Sequence, residues 1–530
     1  MSNKLNKIKG SNDNEGMEIV GQIVEYLLAV VAAAVCIMVP LYARDGYDQI
    51  GQAKFDIYKN MLRLGFMPLL ILVVVYGIFW LREKKKLRLS VTDGFAFAYL
   101  LFTIAAAVFG GFYEDALWGS FGWNMGLLSQ VSFVLLYWLL SRFGKFYRSM
   151  LLIMCAVSAV VFAIGVLHRV GIDPIGFYQG LTDDQMAQFL STMGQATWYA
   201  SYLIVVLPVG IAVFLYAQNR TWRIISGIYM VIGFCSLVTQ NSDSAYFALA
   251  GFMLVFFWVC VENRESLRRF VAVCLSFFTA GKVMSLLMQV NPNPELHYDF
   301  LTRLVLQSGF SWALLGICLV LYIVLWRRKE KAYPVETMLL VRKLVLVGTG
   351  VVLVGLAALI FLNTGGFLPQ WAAQKLSAVS YFTWDDTWGN GRGRIWSFAV
   401  KIFQEENLFH KLLGVGPDCL SSYVAAYYSQ EEELLWGQKV LTNVHNEWFN
   451  ILINGGILGL VSYAGIFMTS IRRFLQKDHR DVLLTGIAAA AVSYMAYNFF
   501  CYQQICCTPF MFMLMGIGEY LYQDKRILEK

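Results

Sequence analysis

Fourteen stretches of this chain are apolar, nearly uncharged and long enough for a helix to cross the hydrocarbon of a bilayer. They fall at residues 19–41, 62–81, 91–109, 125–140, 150–168, 197–217, 224–240, 244–261, 270–290, 305–326, 344–362, 447–469, 482–500 and 506–522. A membrane strand needs only about 10 residues and alternates in polarity, whereas these runs are roughly 17 to 23 residues of continuous apolar character. The expected fold is all-α, a polytopic integral membrane bundle of about 12–14 transmembrane helices. Composition agrees, since 58% of the 530 residues are hydrophobic, 15% are charged and the mean hydropathy is +0.57. An ordinary soluble multidomain protein is excluded.

The formal charge of +7 raises the question of nucleic acid. The basic residues are scattered over many short connections instead of gathered on one face, so no nucleic acid partner is expected. Their distribution sets topology instead. With the N-terminus in the cytoplasm, the inner connections hold 29 Lys and Arg, whereas the outer ones, the long loop aside, hold six: Arg44, Lys54, Lys59, Arg63, Arg169 and Arg303. Both termini are then cytoplasmic. The first 18 residues are polar, with three lysines and no small-residue cleavage site, and read as an uncleaved anchor. The chain divides into a cytoplasmic tail (1–18), about 11 helices (19–362), a long extracytoplasmic loop (363–446), the C-terminal helices (447–522) and a cytoplasmic tail (523–530). Cys36, Cys155, Cys235, Cys260, Cys274 and Cys318 fall within apolar runs and read as packing residues, and no spacing rule supports a disulfide among Cys501, Cys506 and Cys507.

The location of the long loop constrains its chemistry, because ATP and nucleotide sugars are absent outside the cytoplasm. A transfer reaction there must use a donor already activated and delivered through the membrane, such as a lipid-linked diphosphate. The loop contains Trp388-Gly-Asn-Gly-Arg392-Gly-Arg394-Ile-Trp396, then Leu413-Gly414-Val-Gly416-Pro-Asp418, and ends at His445-Asn446. Ile395, Trp396, Phe398, Ala399, Ile402 and Phe403 recur at spacings of three and four, predicting an amphipathic helix on the membrane surface or packed over the bundle, with Arg392 at its entrance. Gly414 and Gly416 permit a turn that approaches a ligand closely. Two shorter outer features carry polar residues beside hydrocarbon: Gln195, leading into the sixth apolar segment, and Asp243, between the seventh and eighth.

At these residues the chain resembles the O-antigen ligase/polymerase family, bacterial membrane glycosyltransferases that move a glycan from a polyprenyl diphosphate carrier to an acceptor. The family pattern of Gly-Arg with a Trp four residues after the Arg is matched by Gly391-Arg392 and Trp396. The Gly-x-Gly turn is matched by Gly414 and Gly416, and the His-Asn pair followed by Gly-x-x-Gly-Leu by His445-Asn446 and Gly456, Gly459 and Leu460. The match runs over roughly residues 190–465, its specific motifs over about a hundred of them. Where many members have Ser-Arg-Gly, this chain has Ser242-Asp243-Ser244; Gln195-Ala-Thr-Trp198 replaces an asparagine-rich turn; and fourteen helices exceed the twelve often seen.

The resemblance implies an inverting transfer in the bacterial plasma (inner) membrane, serving cell-surface polysaccharide synthesis, with a glycan, lipid or cell-wall acceptor and membrane lipids as the other partners. Arg392 and Arg394 would hold the diphosphate, for which the guanidinium fork is suited, and His445 would act as base near neutral pH. Asn446, Trp396, Gly414, Gly416, Asp418, Gln195 and Asp243 are the candidate substrate-binding residues. No ligand-spaced His/Cys/Asp cluster is present, so no metal and no cofactor is expected, the weak alternative being Asp385, Asp386 and Asp418 around a divalent ion. His168, His297, His410 and His479 read as structural, and Gly456 and Gly459 as close helix-packing positions. A transporter or flippase of lipid-linked glycans would show ionisable residues along its helices and an internal repeat, whereas Lys282 and few others occur here. A non-catalytic surface-assembly partner is the third reading. Ligase and polymerase remain open.

Overall fold

The computed structural model describes residues 2–82, 89–327, 335–377, 379–476 and 481–528. The basic residues counted within 83–88, 328–334 and 477–480, and His479, lie outside them. Every one of the fourteen apolar segments lies largely on a helix: α1 (Ser2–Leu41), α2 (Ile50–Arg82), α3 (Val91–Phe109), α4 (Leu127–Phe143), α5 (Tyr147–Arg169), α6 (Ala196–Tyr216), α7 (Arg220–Thr239), α8 (Ser244–Cys260), α9 (Arg264–Leu287), α10 (Gly309–Arg327), α11 (Val335–Thr364), α12 (Glu447–Phe474), α13 (Val482–Tyr497) and α14 (Thr508–Leu528). Among the described residues ten helical stretches are long and apolar enough to cross a membrane. One of them contains both α4 and α5, joined by a tight turn at Gly144–Phe146, while α8 and α13 are shorter apolar helices. The protein is an all-α, polytopic membrane protein whose extended pairing, among those residues, is the small ladder of Phe189–Leu190 with Gly194–Gln195 and an isolated bridge between Asp45 and Asp48.

A helix apolar on every face belongs in a core or in lipid, and both outcomes occur. Helix α6 is buried from Tyr199 to Ala212 and packs against α7 and α13, while α14 lies on α4. The apolar stretch of α11 is exposed, which costs nothing against hydrocarbon.

Polar contacts sort to the two ends of the bundle. At one end Arg142 pairs with Asp93, Arg473 with Glu519 and Arg342 with Glu262. At the other, Tyr47 donates to the Ser191 carbonyl, Arg169 to the Thr239 carbonyl, Asn241 to the His297 carbonyl and Ser120 N to Asp418. Helices that alternate in direction produce this grouping, and it gathers the connections expected outside onto one face. Helix α2 begins earlier than its apolar run. Buried Lys54 therefore sits on that helix and donates to the carbonyls of Val39, Pro40 and Tyr42 at 2.8, 3.2 and 3.1 Å, satisfying the C-terminal end of α1. All ten cysteines are free thiols.

The long loop folds into its own apolar core on that face. Its helix Trp388–Glu405 buries Trp396, Phe398, Ala399 and Ile402 against Leu420, Val424, Val444 and Ile453. The amphipathic helix is thus packed over the bundle, its apolar face covered by protein.

Candidate active site

Arg392 is placed by an unusual backbone. Gly389, Asn390 and Gly391 adopt φ of 59°, 62° and 86°, three consecutive left-handed residues, which glycine at two positions makes accessible. The helix resumes at Arg392, and the side chain turns back so that Nε donates to the Phe500 carbonyl at 3.1 Å and Nη1 to the Gly389 carbonyl at 2.6 Å. Among the described residues its Nη2 edge has no protein partner and the guanidinium no carboxylate ion pair. Arg394 behaves differently. Its Nε pairs with Asp386 at 3.1 Å and its Nη1 donates to the Leu435 carbonyl at 2.8 Å, tying the helix entrance to the helix Ser429–Trp436.

His445 takes φ of 52°, its backbone N donating to Asn443 Oδ1 at 2.7 Å and its ring lying edge-on to Tyr502 at 5.1 Å. Burial, and then the Arg392 guanidinium beside it, push its pKa down to about 4. The imidazole is therefore neutral at physiological pH. Three neighbours fix it. Trp396 Nε1 donates to the Val444 carbonyl at 3.1 Å, buried Asn446 caps the first turn of α12 by accepting from Phe449 N at 3.1 Å, and Glu447 N donates to the Asn498 carbonyl at 2.9 Å. The Glu447 carboxylate is itself buried between the hydroxyls of Tyr463 and Tyr494. The Trp396 ring is enclosed by Trp384, Trp388, Phe449 and Phe500. It sets the backbone before His445.

The Gly-x-Gly turn is occupied by protein. Val415 N donates to the Ile453 carbonyl and Gly416 N to the Asn454 carbonyl, both at 3.0 Å. Gly414 (φ 81°) lies against the backbone of Asn454 and Gly455, and Gly456 (φ 67°), which breaks α12, lies against the backbone of Leu412 and Leu413. Gly459, expected to pack closely, faces open space. Asp418 is buried, with Oδ2 accepting from Ser120 N at 2.8 Å and Met125 N at 3.0 Å. Burial, opposed by these two bonds, pushes its pKa up to about 7.

Asp243 joins this region through Asp299 and Tyr381, each of which interacts with both Asp243 and Arg392. It accepts from Leu301 N at 2.9 Å and from Tyr381 Oη at 3.1 Å, and burial raises its pKa. Asp299 stands beside it, pushed up to about 6 by burial and by Asp243, with Arg392 acting against both. Gln195 is exposed at the start of α6, within the small ladder. His168 bonds Ser191 N and pairs with Asp173, and His410 pairs with Glu406. The structure thus brings Arg392, His445 and Asp243 to one region and turns Arg394, Trp396, Gly414, Gly416 and Asp418 toward protein partners. Sequence reasoning missed Asp299, Tyr381 and Tyr502. Asp299 and Tyr502 stand in connections expected outside, and their polar or aromatic character against flanking hydrocarbon was the available signal.

A half-buried guanidinium with one open edge beside a neutral imidazole can bind an anion and accept a proton. Among the described residues no group of three or more His, Cys, Asp or Glu side chains is arranged to hold a metal ion. Asp385 accepts from Thr387 and Asp386 pairs with Arg394.

No curated protein matches this chain. Residues 299–464 match the family model described as O-antigen ligase, a span that begins at Asp299 and contains Arg392, Gly414, Gly416 and His445. The match implies an enzyme with a membrane glycan ligase- or polymerase-type role. Over that span, set on a polytopic helical bundle, the chain is similar to the O-antigen ligase family.

Proposed function

We propose that the protein transfers a glycan from a polyprenyl diphosphate carrier to an acceptor hydroxyl, on the extracytoplasmic face of the bacterial plasma membrane, in cell-surface polysaccharide synthesis. The observation that carries this reading is the open edge of Arg392 beside the neutral His445, within the segment matched by the family model. The face follows from the basic asymmetry of 29 against six, which leaves both termini cytoplasmic.

The carrier diphosphate is already a good leaving group. The protein has to hold its growing charge and take up one proton. Arg392 meets the phosphate oxygens with its open edge while backbone carbonyls hold the rest of the guanidinium still. His445 accepts the acceptor hydroxyl proton as that oxygen's lone pair forms the new bond at the anomeric carbon. The bond from that carbon to the diphosphate breaks, its electron pair leaving with the phosphate oxygen. A single displacement inverts the anomeric centre and needs no covalent glycosyl-enzyme. Negative charge arriving with the donor offsets Arg392, so His445 gains basicity as the donor binds. Arg394 braces the loop through Asp386 and Leu435, and Asn446 and Trp396 hold the histidine's backbone. The step as written calls on no metal; Asp385, Asp386 and Asp418 are engaged by Thr387, Arg394 and two backbone amides.

A flippase would use ionisable groups along the spans, whereas Lys282 donates to the Val305 and Leu306 carbonyls at 3.2 and 3.1 Å. The test is the purified protein in lipid with lipid-linked oligosaccharide, read as product length and released carrier diphosphate. Donor consumption with a new glycan product is expected. Carrier movement across the bilayer without bond breakage would overturn the reading.

A further inference from the structure

The aromatic and amide side chains packed about Tyr502 play no part in the mechanism above. A narrow cleft there is lined by Gly51, Gly122, Trp123, Trp198, Gln503 and Gln504, and by Lys54. It joins the reacting histidine through a short aromatic relay. Tyr502 lies 5.1 Å from the His445 ring and 4.6 Å from Trp123, Trp123 lies 6.3 Å from Trp198, and Trp198 Nε1 donates to Tyr502 Oη at 3.4 Å. Gly51 lets the walls close, since a Cβ there would meet the Trp198 ring and come within 2.9 Å of the Gly122 carbonyl.

Two observations indicate a ligand and its chemistry. Gln504 is 4% exposed; its Oε1 accepts from Ser201 Oγ at 3.1 Å while, among the described residues, its buried Nε2 has no hydrogen-bond partner. A buried amide donor without a partner is costly, and one that lines a cleft can be satisfied by a ligand acceptor. The second observation concerns charge. Lys54, the cation in the lining, directs its ammonium to the carbonyls of Val39, Pro40 and Tyr42, so the cleft offers aromatic faces and two neutral amides and no uncommitted cation. That combination suits a neutral polyhydroxyl ring whose C–H face lies on tryptophan, and does not suit a phosphate. The cleft has room for about 10 Å³, too small for a pyranose and the size of a single hydroxyl.

We propose that this cleft is the acceptor subsite, in which a neutral pyranose of the acceptor rests on Trp123 and Trp198 and sends one hydroxyl to Gln504. An adjacent hydroxyl then faces His445. The identification as acceptor rests on the transferase reading above: the donor's diphosphate belongs at Arg392, and the attacking hydroxyl must approach from a different side.

The test is saturation-transfer NMR on the full chain in nanodiscs, with a panel of neutral hexoses, 6-deoxyhexoses and N-acetylhexosamines at millimolar concentration. At least one sugar is expected to bind, with affinity about tenfold weaker in Trp123→Ala and in Gln504→Leu, restored in Trp123→Phe and unchanged in Arg392→Ala. Should Trp123→Ala not fold, Gln504→Leu decides. Absence of binding by every sugar, binding indifferent to the Trp123 and Gln504 variants, or binding lost in Arg392→Ala would each overturn the proposal. The readout needs no turnover, so sugar binding here in a protein that never transfers glycan would count against the transferase reading while leaving the cleft a sugar site.

Discussion

Arg392 Nε donates to the Phe500 carbonyl at 3.1 Å, joining the long loop to the turn between the last two membrane helices, α13 and α14. With Nη1 on the Gly389 carbonyl, the guanidinium plane is set by two neutral acceptors. Its charge remains available to an anion, whereas that of Arg394 is shared with Asp386.

The two arginines should therefore separate in kinetics. Arg392→Lys is expected to lose about 10²–10³ in kcat/KM, because an ammonium cannot keep both carbonyl contacts and also present an open edge. Arg394→Lys should lose less than about tenfold, the ion pair it disturbs being partly exposed and worth at most about 1 kcal/mol. Steady-state rates with lipid-linked donor decide it, and equal losses would put both arginines on the phosphates.

The pH profile should carry the histidine's signature. His445 is depressed to about 4 and serves as base only when neutral, so the acidic limb of kcat/KM, which reports free enzyme, is expected near pH 4 and not near 6.5. The kcat limb should lie at higher pH, because the bound diphosphate favours the imidazolium. Asp299, at about 6, also titrates nearby, as does Asp243, raised by burial, and Asp299→Asn removes the first contribution. His445→Ala should cost about 10² to 10⁴ in rate and abolish the acidic limb.

Gly414→Ala and Gly456→Ala should each destabilise the protein. Both positions are left-handed, and each new Cβ would press on the backbone of the facing strand of chain. A loss of about 1–3 kcal/mol is expected, read as a lower Tm in detergent. Gly459→Ala is the control: its Cβ would meet nothing, so Tm should hold.

Chelation should leave transfer intact. Asp418 is held by Ser120 N and Met125 N, Asp386 by Arg394 and Asp385 by Thr387, so none of the three acidic side chains once considered for an ion is uncommitted. Activity lost in EDTA and restored by a divalent ion would contradict this and bring those carboxylates to the centre of the mechanism.

The bundle was legible because its information is local: an apolar run is helical whatever it packs against, so all fourteen segments fall largely on helices, 305–326 crossing a break at Ser308. The loop motifs were legible too, since glycines grouped around arginine mark backbone that only glycine readily adopts. Which motif residue faces the reaction was not. Arg392 and Arg394 are neighbours of one type in sequence, and the left-handed turn at Gly389–Gly391 sends one to Phe500 while the other meets Asp386. Gly414 and Gly416 read as a ligand cradle until the break at Gly456 fills the space beside them. Asp299, Tyr381 and Tyr502 carry no motif, and only the packing of distant connections on one face brings them to Arg392. Periodicity follows from a few consecutive residues, whereas a side chain's partner depends on contacts far along the chain, such as the 108 residues between Arg392 and Phe500.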